Sequence, residues 1–260
     1  MMPELPEVET LCRQLNAILP GKEILNVEIL DPRLGKMEAL AGRRVAAVTR
    51  RGKFIEIDLD GGLKAALHLR MTGRLLWQGD GAPLPPYSRL VVSFPRGRLV
   101  LIDPRRFAIF CVRPEKVPGA LIQNPLEGLP ARRLREIART RRLPVKSFLM
   151  DQRLIAGIGN IYACEILHEA AVDPRRPAGS LSPAEWRRVE RAAAVVLPRA
   201  VECRGTTVSD WRDLFGVSGT NQDHLEVYSR EAEPCSRCGG RIERAKMGGR
   251  GTWFCPACQK

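Results

Sequence analysis

The sequence predicts an α+β protein with an N-terminal helix and an antiparallel β-sandwich, followed by a helical domain and a small cysteine-bearing hairpin. Three observations support this fold class. Apolar residues repeat every three or four positions near the start, short β-branched runs fill residues 22–112, and helical spacing returns after residue 130. A chain of 260 residues with 44% hydrophobic residues can bury the core of one or two globular domains.

The first predicted helix covers residues 3–19. Its apolar positions recur at helical spacing, namely Leu5, Val8, Leu11, Leu15, Ile18 and Leu19. Proline and glutamate suit its first turn, because proline already has a helical φ and glutamate faces the positive end of the helix dipole. Pro20-Gly21 ends the helix.

The next region predicts strands. Five apolar, β-branched runs are separated by glycine and proline, at residues 24–30, 44–62, 63–77, 89–94 and 98–112. Successive strands without helices between them indicate an antiparallel sandwich or barrel. Residues 1–113 are therefore assigned to one N-terminal domain.

The second half of the chain predicts helices. Residues 114–130 are rich in proline and glycine and are predicted to be a linker. Residues 131–231 form a predicted helical domain, in which Ser182 is the expected N-cap of the longest helix. Residues 232–260 form a separate module that carries four cysteines.

The charge of the chain predicts its type of partner. Its net charge is +13, from 42 Lys and Arg against 29 Asp and Glu. Such a charge favours binding to a polyanion such as nucleic acid, although a basic surface that is only solvated is an alternative. No apolar run reaches the ~18 residues of a membrane helix, and the acidic start lacks the features of a secretory signal. We expect a soluble, cytoplasmic protein without a membrane partner.

The last 26 residues or so contain a metal-binding pattern. Cys235, Cys238, Cys255 and Cys258 follow the spacing C-x2-C-x16-C-x2-C. Two such pairs can supply four thiolates to one tetrahedral Zn²⁺, which then has no open position and serves a structural role. Free thiols or disulfides are the alternative, which a reducing compartment disfavours. The other four cysteines are expected to pack as reduced residues.

Two further segments carry features of phosphate binding. The loop between the cysteine pairs holds four basic residues and one acid, and Arg250 lies in GGRGT, where glycines allow a ligand to approach closely. The sequence GIGN at residues 157–160 precedes a predicted helix, whose positive end suits a phosphate. The alternatives are a solvated hairpin and an ordinary N-cap at Asn160.

Six motifs in collinear order resemble the formamidopyrimidine-DNA glycosylases. They are PELPEVET at 3–10, RRGKF at 50–54, HLRMTGRL at 68–75, DPRRF at 103–107, DQRLIAGIGNIYACEILH at 151–168, and the four-cysteine hairpin. The resemblance implies an N-terminal helix and β-sandwich, a helix–two-turn–helix domain and a zinc hairpin. It also implies a bifunctional DNA glycosylase/AP lyase that removes oxidised purines, such as 8-oxoguanine and formamidopyrimidines, from double-stranded DNA.

The resemblance implies catalytic roles for five residues. Pro3 is the amine nucleophile that forms a Schiff base, Glu4 is the acid that protonates the opening sugar, and Glu7 orients the amine. Lys53 assists β-elimination, and Arg250 is linked to phosphate binding and δ-elimination. For Glu4 and Glu7 the alternative is stabilisation of the first helical turn.

The resemblance also implies six DNA-binding residues. Met71, Arg105 and Phe107 fill the space left by the flipped base, and Asn160, Lys146 and Arg141 contact phosphates. Core packing is the alternative for Met71 and Phe107, and a plain surface position is the alternative for the last three. A bacterial, nucleoid-associated monomer is expected.

The chain departs from the family pattern at three places. Thr220 and Asn221 replace two aromatic residues in a loop that helps to cover the flipped purine. Near the strand at 87–92, Tyr87 and Arg89 stand where the family often has two histidines. The doubled methionine at the start must be absent from active protein if Pro3 is to carry a free amine. Oxidised pyrimidines, as for endonuclease VIII, or non-catalytic DNA binding are the alternative functions. The three histidines are expected to have no catalytic role.

Overall fold

The computed structural model describes residues 2–112 and 119–260. The chain divides into two compact units. The first contains the described part of Met1–Pro118 together with Cys203–Gln222, and the second contains Gly119–Glu202 with Asp223–Lys260. Residues 113–118, which include the start of the predicted linker over 114–130, lie outside the described residues.

The first unit begins with helix α1, Leu5–Ile18. Glu4 is its N-cap in an extended conformation, and Glu4 and Glu7 form a capping box in which the Glu4 N–H donates to Glu7 Oε2 at 2.9 Å. The helix therefore begins two residues later than predicted, because Pro3 and Glu4 lie outside its hydrogen-bonded turns. Its buried face includes Leu5, Leu11 and Leu15.

Eight strands of the first unit form two antiparallel four-stranded sheets. The orders are β1-β6-β7-β5 and β2-β3-β4-β8. The strands are β1 Asn26–Ile29, β2 Val45–Arg51, β3 Phe54–Leu59, β4 Lys64–His68, β5 Arg74–Gln78, β6 Ser88–Ser93, β7 Arg98–Ile102 and β8 Ile109–Val112. One hydrophobic cluster joins α1 to both sheets, through residues such as Leu15, Ile55 and Leu101. The predicted helix and antiparallel sandwich are confirmed.

The second unit contains four α-helices and one β-hairpin among its described residues. The helices are α2 Ala131–Ala138, α3 Val145–Leu149, α4 Asn160–Glu169 and α5 Pro183–Glu202. At the start of α5, Ser182 Oγ accepts the Glu185 N–H at 3.3 Å, and Glu185 Oε2 accepts the Ser182 N–H at 2.7 Å. This capping box confirms Ser182 as the N-cap. Trp186 and Phe148 pack with ring centroids 5.5 Å apart and join α5 to α3.

Short 3-10 helices complete the described chain, at Pro32–Leu34, Glu38–Leu40, Asp60–Gly62, Ala178–Ser180 and Asn221–His224. The C-terminal hairpin consists of β9 Glu243–Met247 and β10 Arg250–Phe254. Gly248 and Gly249 connect them with φ values of 53° and 77°. Two consecutive positive φ angles are typical of a type I′ turn, which favours glycine and matches the twist of the strands.

Residues 203–222 separate from the predicted helical domain over 131–231 and belong to the first unit. Leu214 O accepts the Trp77 N–H at 2.8 Å, and the Gln14 side chain binds Asp213 and the Leu214 N–H at 2.9 and 3.0 Å. The chain thus returns to α1 and the sheet after α5.

Within residues 2–112 and 119–260, no helix combines the length and apolar character that crossing a membrane requires.

Candidate functional site: a carboxylate cluster and a four-cysteine hairpin

Two buried glutamates lie at the start of α1, next to the buried Pro3. Glu4 is 3% exposed and Glu7 is 0% exposed. Burial of a carboxylate requires hydrogen-bond donors or positive charge nearby. Glu7 accepts the Glu4 N–H at 2.9 Å and the Thr206 N–H at 2.7 Å, and the helix dipole places its positive end at the same position. Pro3 and two buried carboxyl groups therefore occupy one place.

The loop that supplies the Thr206 N–H depends on a glycine. Gly205 has φ +82°, and a Cβ at this position would lie 2.7 Å from Glu7 Oε1. Thr206 is 0% exposed, and its Oγ1 accepts a hydrogen bond from Asn221 Nδ2 at 2.8 Å. Glu7, Thr206 and Asn221 thus form a buried chain of polar contacts.

Sequence reasoning missed Gly205 and Thr206 and noticed Asn221 only as a departure from the family pattern. The structure shows that Asn221 is 3% exposed, with its amide turned inward to Thr206. The preceding Thr220 is exposed. The residue at position 221 therefore supports the loop from within.

The alignment of α1 on β2 places the β2–β3 turn beside the start of the helix. Three contacts show that α1 and β2 run in opposite directions. They join Asn16 to Val48 at 2.9 Å, Cys12 to Thr49 at 3.3 Å and Glu9 to Arg50 at 2.8 Å, so that the position falls along α1 as it rises along β2. Continuing this antiparallel progression brings the turn with Lys53 to the end of α1 that carries Glu4. Lys53 is 6% exposed. This alignment indicates that Lys53 lies toward the end of α1 that carries the carboxylate cluster.

His68 lies next to this turn, in surroundings that favour its neutral form. Its ring packs edge-on against Phe54 with centroids 4.7 Å apart, and its Nδ1 accepts the Arg70 N–H at 2.9 Å. Burial, followed by the charges of Arg70 and Lys53, lowers the pKa of His68 to about 4. A neutral ring that accepts at Nδ1 carries its proton on Nε2.

A second group of predicted residues lies on two neighbouring loops of the same unit. Met71 is 45% exposed and Phe107 is 42% exposed, so neither is a core residue. The Arg105 guanidinium lies 4.5 Å from the centre of the Phe107 ring. The core-packing alternative for Met71 and Phe107 is therefore wrong.

Asp103 organises these two loops. Its carboxylate is 1% exposed and accepts the Phe107 and Ala108 N–H groups, both at 2.7 Å. It also accepts the Thr72 hydroxyl at 2.5 Å, which ties the loop of Met71 to the loop of Phe107. An Asp-Pro pair such as that at 103–104 is typical of a turn, but it does not predict the partnership with Thr72.

The second unit brings Asn160, Lys146 and Arg250 to one region. Asn160 Nδ2 and Lys146 Nζ both donate to Gly251 O, at 3.1 and 2.9 Å, and Lys146 Nζ also donates to Thr252 Oγ1 at 2.6 Å. Gly251 directly follows the exposed Arg250. The hairpin is thus attached at the residue next to its predicted phosphate-binding arginine.

Three predicted phosphate contacts have different environments. Gly159 is the N-cap of α4, so the N-cap alternative for Asn160 is wrong. Lys146 is only 1% exposed, with its ammonium bound to the hairpin, whereas Arg141 is exposed after α2.

Sequence reasoning missed Gln152, which shapes the turn before α4. Its side chain accepts the Gly157 N–H at 2.9 Å and donates to Ile158 O at 2.6 Å.

The four cysteines form a compact cluster. The sulfur atoms of Cys235, Cys238, Cys255 and Cys258 all lie within 4.8 Å of one another, with Cys235–Cys258 at 3.9 Å and Cys238–Cys255 at 3.5 Å. Tetrahedral zinc with Zn–S bonds of ~2.3 Å places its sulfurs about 3.8 Å apart. The donor set and its geometry therefore fit one structural Zn²⁺, held by four thiolates without an open position.

The loop between the cysteine pairs has a basic surface. Arg241, Arg244, Lys246 and Arg250 are all exposed. Arg244 contacts Glu231 at 3.8 Å, and its guanidinium lies 5.5 Å from the centre of the Trp253 ring. The positive groups therefore project from a hairpin whose base is fixed by the cysteine cluster.

Comparisons with known proteins agree with this geometry. Three family models match in order, the formamidopyrimidine-DNA glycosylase N-terminal domain at residues 2–110, the formamidopyrimidine-DNA glycosylase H2TH domain at 125–211, and the zinc finger found in FPG and IleRS at 232–260. The formamidopyrimidine-DNA glycosylase of Pelotomaculum thermopropionicum is 42% identical, over 100% of this chain and 99% of its own length. That of Thermus thermophilus is 43% identical, over 99% of this chain and 98% of its own length.

Solved structures show the same fold. A Lactococcus lactis FPG mutant in complex with Fapy-dG-containing DNA is 29% identical, with a TM-score of 0.89 over 99% of this chain and 100% of that chain. The Lactococcus lactis Fpg complex with abasic-site DNA is 30% identical, also with a TM-score of 0.89, over 99% of each chain. Together the matches define a DNA glycosylase with a zinc finger. The chain belongs to the formamidopyrimidine-DNA glycosylase family.

Proposed function

We propose that this protein is a bifunctional DNA glycosylase/AP lyase that removes oxidised purines, including formamidopyrimidines and 8-oxoguanine, from duplex DNA. The observation that carries the proposal is the cluster at the start of α1. Pro3 stands beside two buried glutamates, one of which is held by the N–H groups of Glu4 and Thr206. The relatives named for formamidopyrimidine-DNA, and the structures with Fapy-dG and abasic-site DNA, support this substrate class.

The proposed chemistry begins with the Pro3 amine. An α-amine has a pKa of ~8, against ~10.4 for lysine, so a larger fraction is unprotonated at neutral pH. The amine attacks the sugar C1′ after the damaged base has been flipped out of the stack. The bond between C1′ and the base breaks, and the base leaves with the bonding electron pair and takes up the proton that the amine loses. Glu4 gives a proton to the ring oxygen, the sugar opens, and the secondary amine becomes an iminium cation.

The iminium acts as an electron sink for strand cleavage. Loss of a C2′ proton expels the 3′ phosphate, a second elimination expels the 5′ phosphate, and water then releases Pro3 from the sugar fragment. In this proposal Glu7 orients the amine, Lys53 assists the first elimination, and Arg250 binds phosphate and assists the second. Zinc, when bound, supplies no chemistry to these steps and stabilises the hairpin that carries Arg250.

The remaining predicted residues hold the DNA. Met71, Arg105 and Phe107 fill the space of the extruded nucleotide, with Phe107 as an apolar wedge and Arg105 paired to the orphaned cytosine. Their exposure and the 4.5 Å Arg105–Phe107 contact support this role. Asn160, Lys146 and Arg141 are proposed phosphate contacts, of which Lys146 also binds the hairpin directly.

The proposal requires a free amine on Pro3. A retained Met2 would make this nitrogen an amide, which cannot attack C1′. We therefore expect active protein to begin at Pro3, either because translation starts at Met2 or because both methionines are removed. Intact-mass measurement checks this, and full activity from a chain that still begins Met1-Met2 contradicts the role of Pro3.

Borohydride trapping tests the chemistry. Purified protein is incubated with a duplex that contains 8-oxoguanine opposite cytosine, in the presence of sodium borohydride, which reduces an iminium to a stable covalent adduct. We expect one adduct whose peptide map places the cross-link on Pro3. Undamaged duplex is the substrate control, and a preparation with a blocked N terminus is the protein control. Absence of an adduct with every oxidised duplex would falsify the proposal.

The same assay separates the alternatives. Trapping on oxidised pyrimidines but not on purines supports a glycosylase of the endonuclease VIII type, whereas duplex binding without any adduct supports a non-catalytic DNA-binding protein.

We also propose that the protein acts as a monomer in the bacterial cytoplasm, at the nucleoid where its substrate lies. The bacterial relatives support this location.

A further inference from the structure

A histidine that sequence reasoning left without a role lies against the cysteine cluster. His168, in the last turn of α4, is 1% exposed, and its Nε2 lies 3.4 Å from the sulfur of Cys235. Cys235 itself is 2% exposed. The contact joins two groups that are 67 positions apart in the chain and are both shielded from water.

The surroundings of the ring determine which nitrogen carries the proton. His168 Nδ1 is buried and has no hydrogen-bond partner among the described residues. A proton on Nδ1 would leave a buried donor unsatisfied and turn the Nε2 lone pair toward the sulfur, which is itself electron-rich. With the proton on Nε2, the ring donates to the sulfur, and only a neutral acceptor at Nδ1 stays unpaired. The second tautomer costs less free energy, because it leaves only one acceptor unpaired. The first leaves a donor unpaired and also turns two lone pairs toward each other.

We propose that His168 donates an Nε2–H···Sγ hydrogen bond to the zinc-bound thiolate of Cys235, and thereby sets how firmly the hairpin holds its metal. Four thiolates give a Zn²⁺ site a net charge of −2, and a donor to one sulfur stabilises that charge in a dry environment. Groups that bind and orient metal ligands in this way commonly contribute about ten- to 100-fold to metal affinity.

Other contacts hold α4 and the cysteine pair in this arrangement. Arg237, which lies between Cys235 and Cys238, donates to His168 O at 3.1 Å and pairs with Glu169 at 3.2 Å. Arg237 therefore holds the end of α4 close to the loop that carries Cys235, which fixes the distance between the ring and the sulfur. Because these contacts lie within the folded second unit, the hydrogen bond does not depend on DNA.

Glu165, one turn before His168 on α4, fixes the chain that leads into the hairpin. Its carboxylate accepts the N–H groups of Glu226, Val227 and Tyr228 at 2.8, 3.1 and 2.8 Å. Three backbone bonds to one buried side chain leave little freedom for the segment before Cys235. His168 then extends the same attachment to the metal ligand itself.

Zinc release provides the main test. The zinc-loaded protein is mixed with a chromogenic chelator, and the rate of metal transfer is compared for the original protein, His168→Phe, His168→Gln and His224→Phe. Phenylalanine keeps an aromatic ring but has no N–H, glutamine can still donate an N–H, and His224 is an exposed histidine that serves as the matched control. We expect release about tenfold to 100-fold faster for His168→Phe, a rate closer to that of the original protein for His168→Gln, and no change for His224→Phe.

Two outcomes overturn the proposal. One is an unchanged release rate in folded His168→Phe, and the other is equal acceleration by phenylalanine and glutamine, which indicates a packing role only. If His168→Phe does not fold, the ¹⁵N shifts of the ring in the unsubstituted, zinc-loaded protein decide, because an unprotonated Nε2 excludes the proposed donor. None of these measurements involves damaged DNA, so a failure here is distinct from a failure of the proposed glycosylase function.

Discussion

The starts of α1 and α4 are both helix N termini, but the chain uses them in opposite ways. At α1 the positive end of the dipole faces the chain's own buried carboxyl groups, Glu4 and Glu7. At α4 the first turn contains no acidic residue, and the helix begins after a glycine with Asn160. The same electrostatic feature therefore supports internal acids in one unit and suits an external anion such as a phosphate in the other.

The difference follows from what packs against each helix start. The α1 end is closed by the Gly205-Thr206 loop, whose N–H group binds Glu7. The α4 end is bordered by the turn that Gln152 shapes, where the Gln152 side chain accepts the Gly157 N–H. It is also bordered by the hairpin residue Gly251, whose carbonyl oxygen accepts a hydrogen bond from the Asn160 side chain. The buried start of α1, whose N–H groups bind carboxylates of the chain itself, suits acid–base chemistry. The start of α4, which is surrounded by amides and basic residues, suits a polyanion.

The largest expected effect is on the carboxylate end. We predict that Glu4→Gln lowers the rate of base excision by about 10²–10⁴-fold, the range for loss of a general acid. Glutamine keeps the size and the acceptor of the side chain, so the thermal stability should change little. Single-turnover excision from an 8-oxoguanine duplex measures the effect, with Glu28→Gln on β1 as the control. An excision rate close to that of the original protein would remove Glu4 from the mechanism.

The glycine that lets the loop approach Glu7 provides a matched pair of variants. Gly205 and Gly21 have nearly equal φ values of +82° and +81°, but a Cβ clashes with Glu7 only at position 205. We predict that Gly21→Ala costs about 1 kcal/mol from backbone strain alone, and that Gly205→Ala costs at least about 2 kcal/mol more.

Urea unfolding of the two glycine variants measures this difference, and the excision rate gives a second readout. The loss of activity should accompany Gly205→Ala only, because this substitution displaces the loop that holds Glu7. Equal free energies of unfolding for the two variants would show that the loop moves away from Glu7 without cost.

The α4 end predicts a binding effect of intermediate size. Asn160→Ala should weaken binding to a lesion duplex about tenfold, which is about 1.4 kcal/mol and near the lower range for a hydrogen bond to a charged group. The loss should be similar for every lesion and for undamaged DNA, because phosphate contacts carry no sequence information. Fluorescence anisotropy at fixed salt measures it, with Asn124→Ala as the control. A loss confined to one lesion would assign Asn160 to base recognition.

Acid stability provides a separate test at the α1 end, where His68 lies beside the Lys53 turn. Burial and the charges of Arg70 and Lys53 lower the pKa of His68 from 6.5 to about 4. The neutral folded form thus contributes stability that is fully present above pH 6.5 and is lost as the pH falls through about 4. We expect His68→Gln to lose less stability than the original protein between about pH 7 and about pH 4.5.

Urea midpoints at the two pH values test this expectation, with the exposed His224→Gln as the control. Release of zinc in acid affects all three proteins alike and cancels in the comparison. Parallel losses in the original protein and His68→Gln would show that His68 does not titrate in this range.

Local patterns predicted the elements of both units well. The 3–4 spacing of Leu11 and Leu15 indicated α1, and Ser182 with Glu185 marked the start of α5, because helix period and capping act over a few residues. The spacing of the cysteines predicted their cluster for the same reason. The family resemblance added roles that no pattern carried, such as nucleophilic attack by Pro3.

The sequence by itself determined the order of the elements and the zinc ligands, because periodicity, capping and the two C-x2-C pairs act over a few positions. The catalytic set came from the family resemblance. Only the tertiary structure decided that the Thr206 N–H holds Glu7 across 199 positions, that Thr72 binds Asp103, and that His168 meets Cys235. Such pairs need a particular packing of distant elements and leave no periodic trace in the chain. The physical reason is that one buried polar group selects its partner by position in space, whatever the separation in sequence.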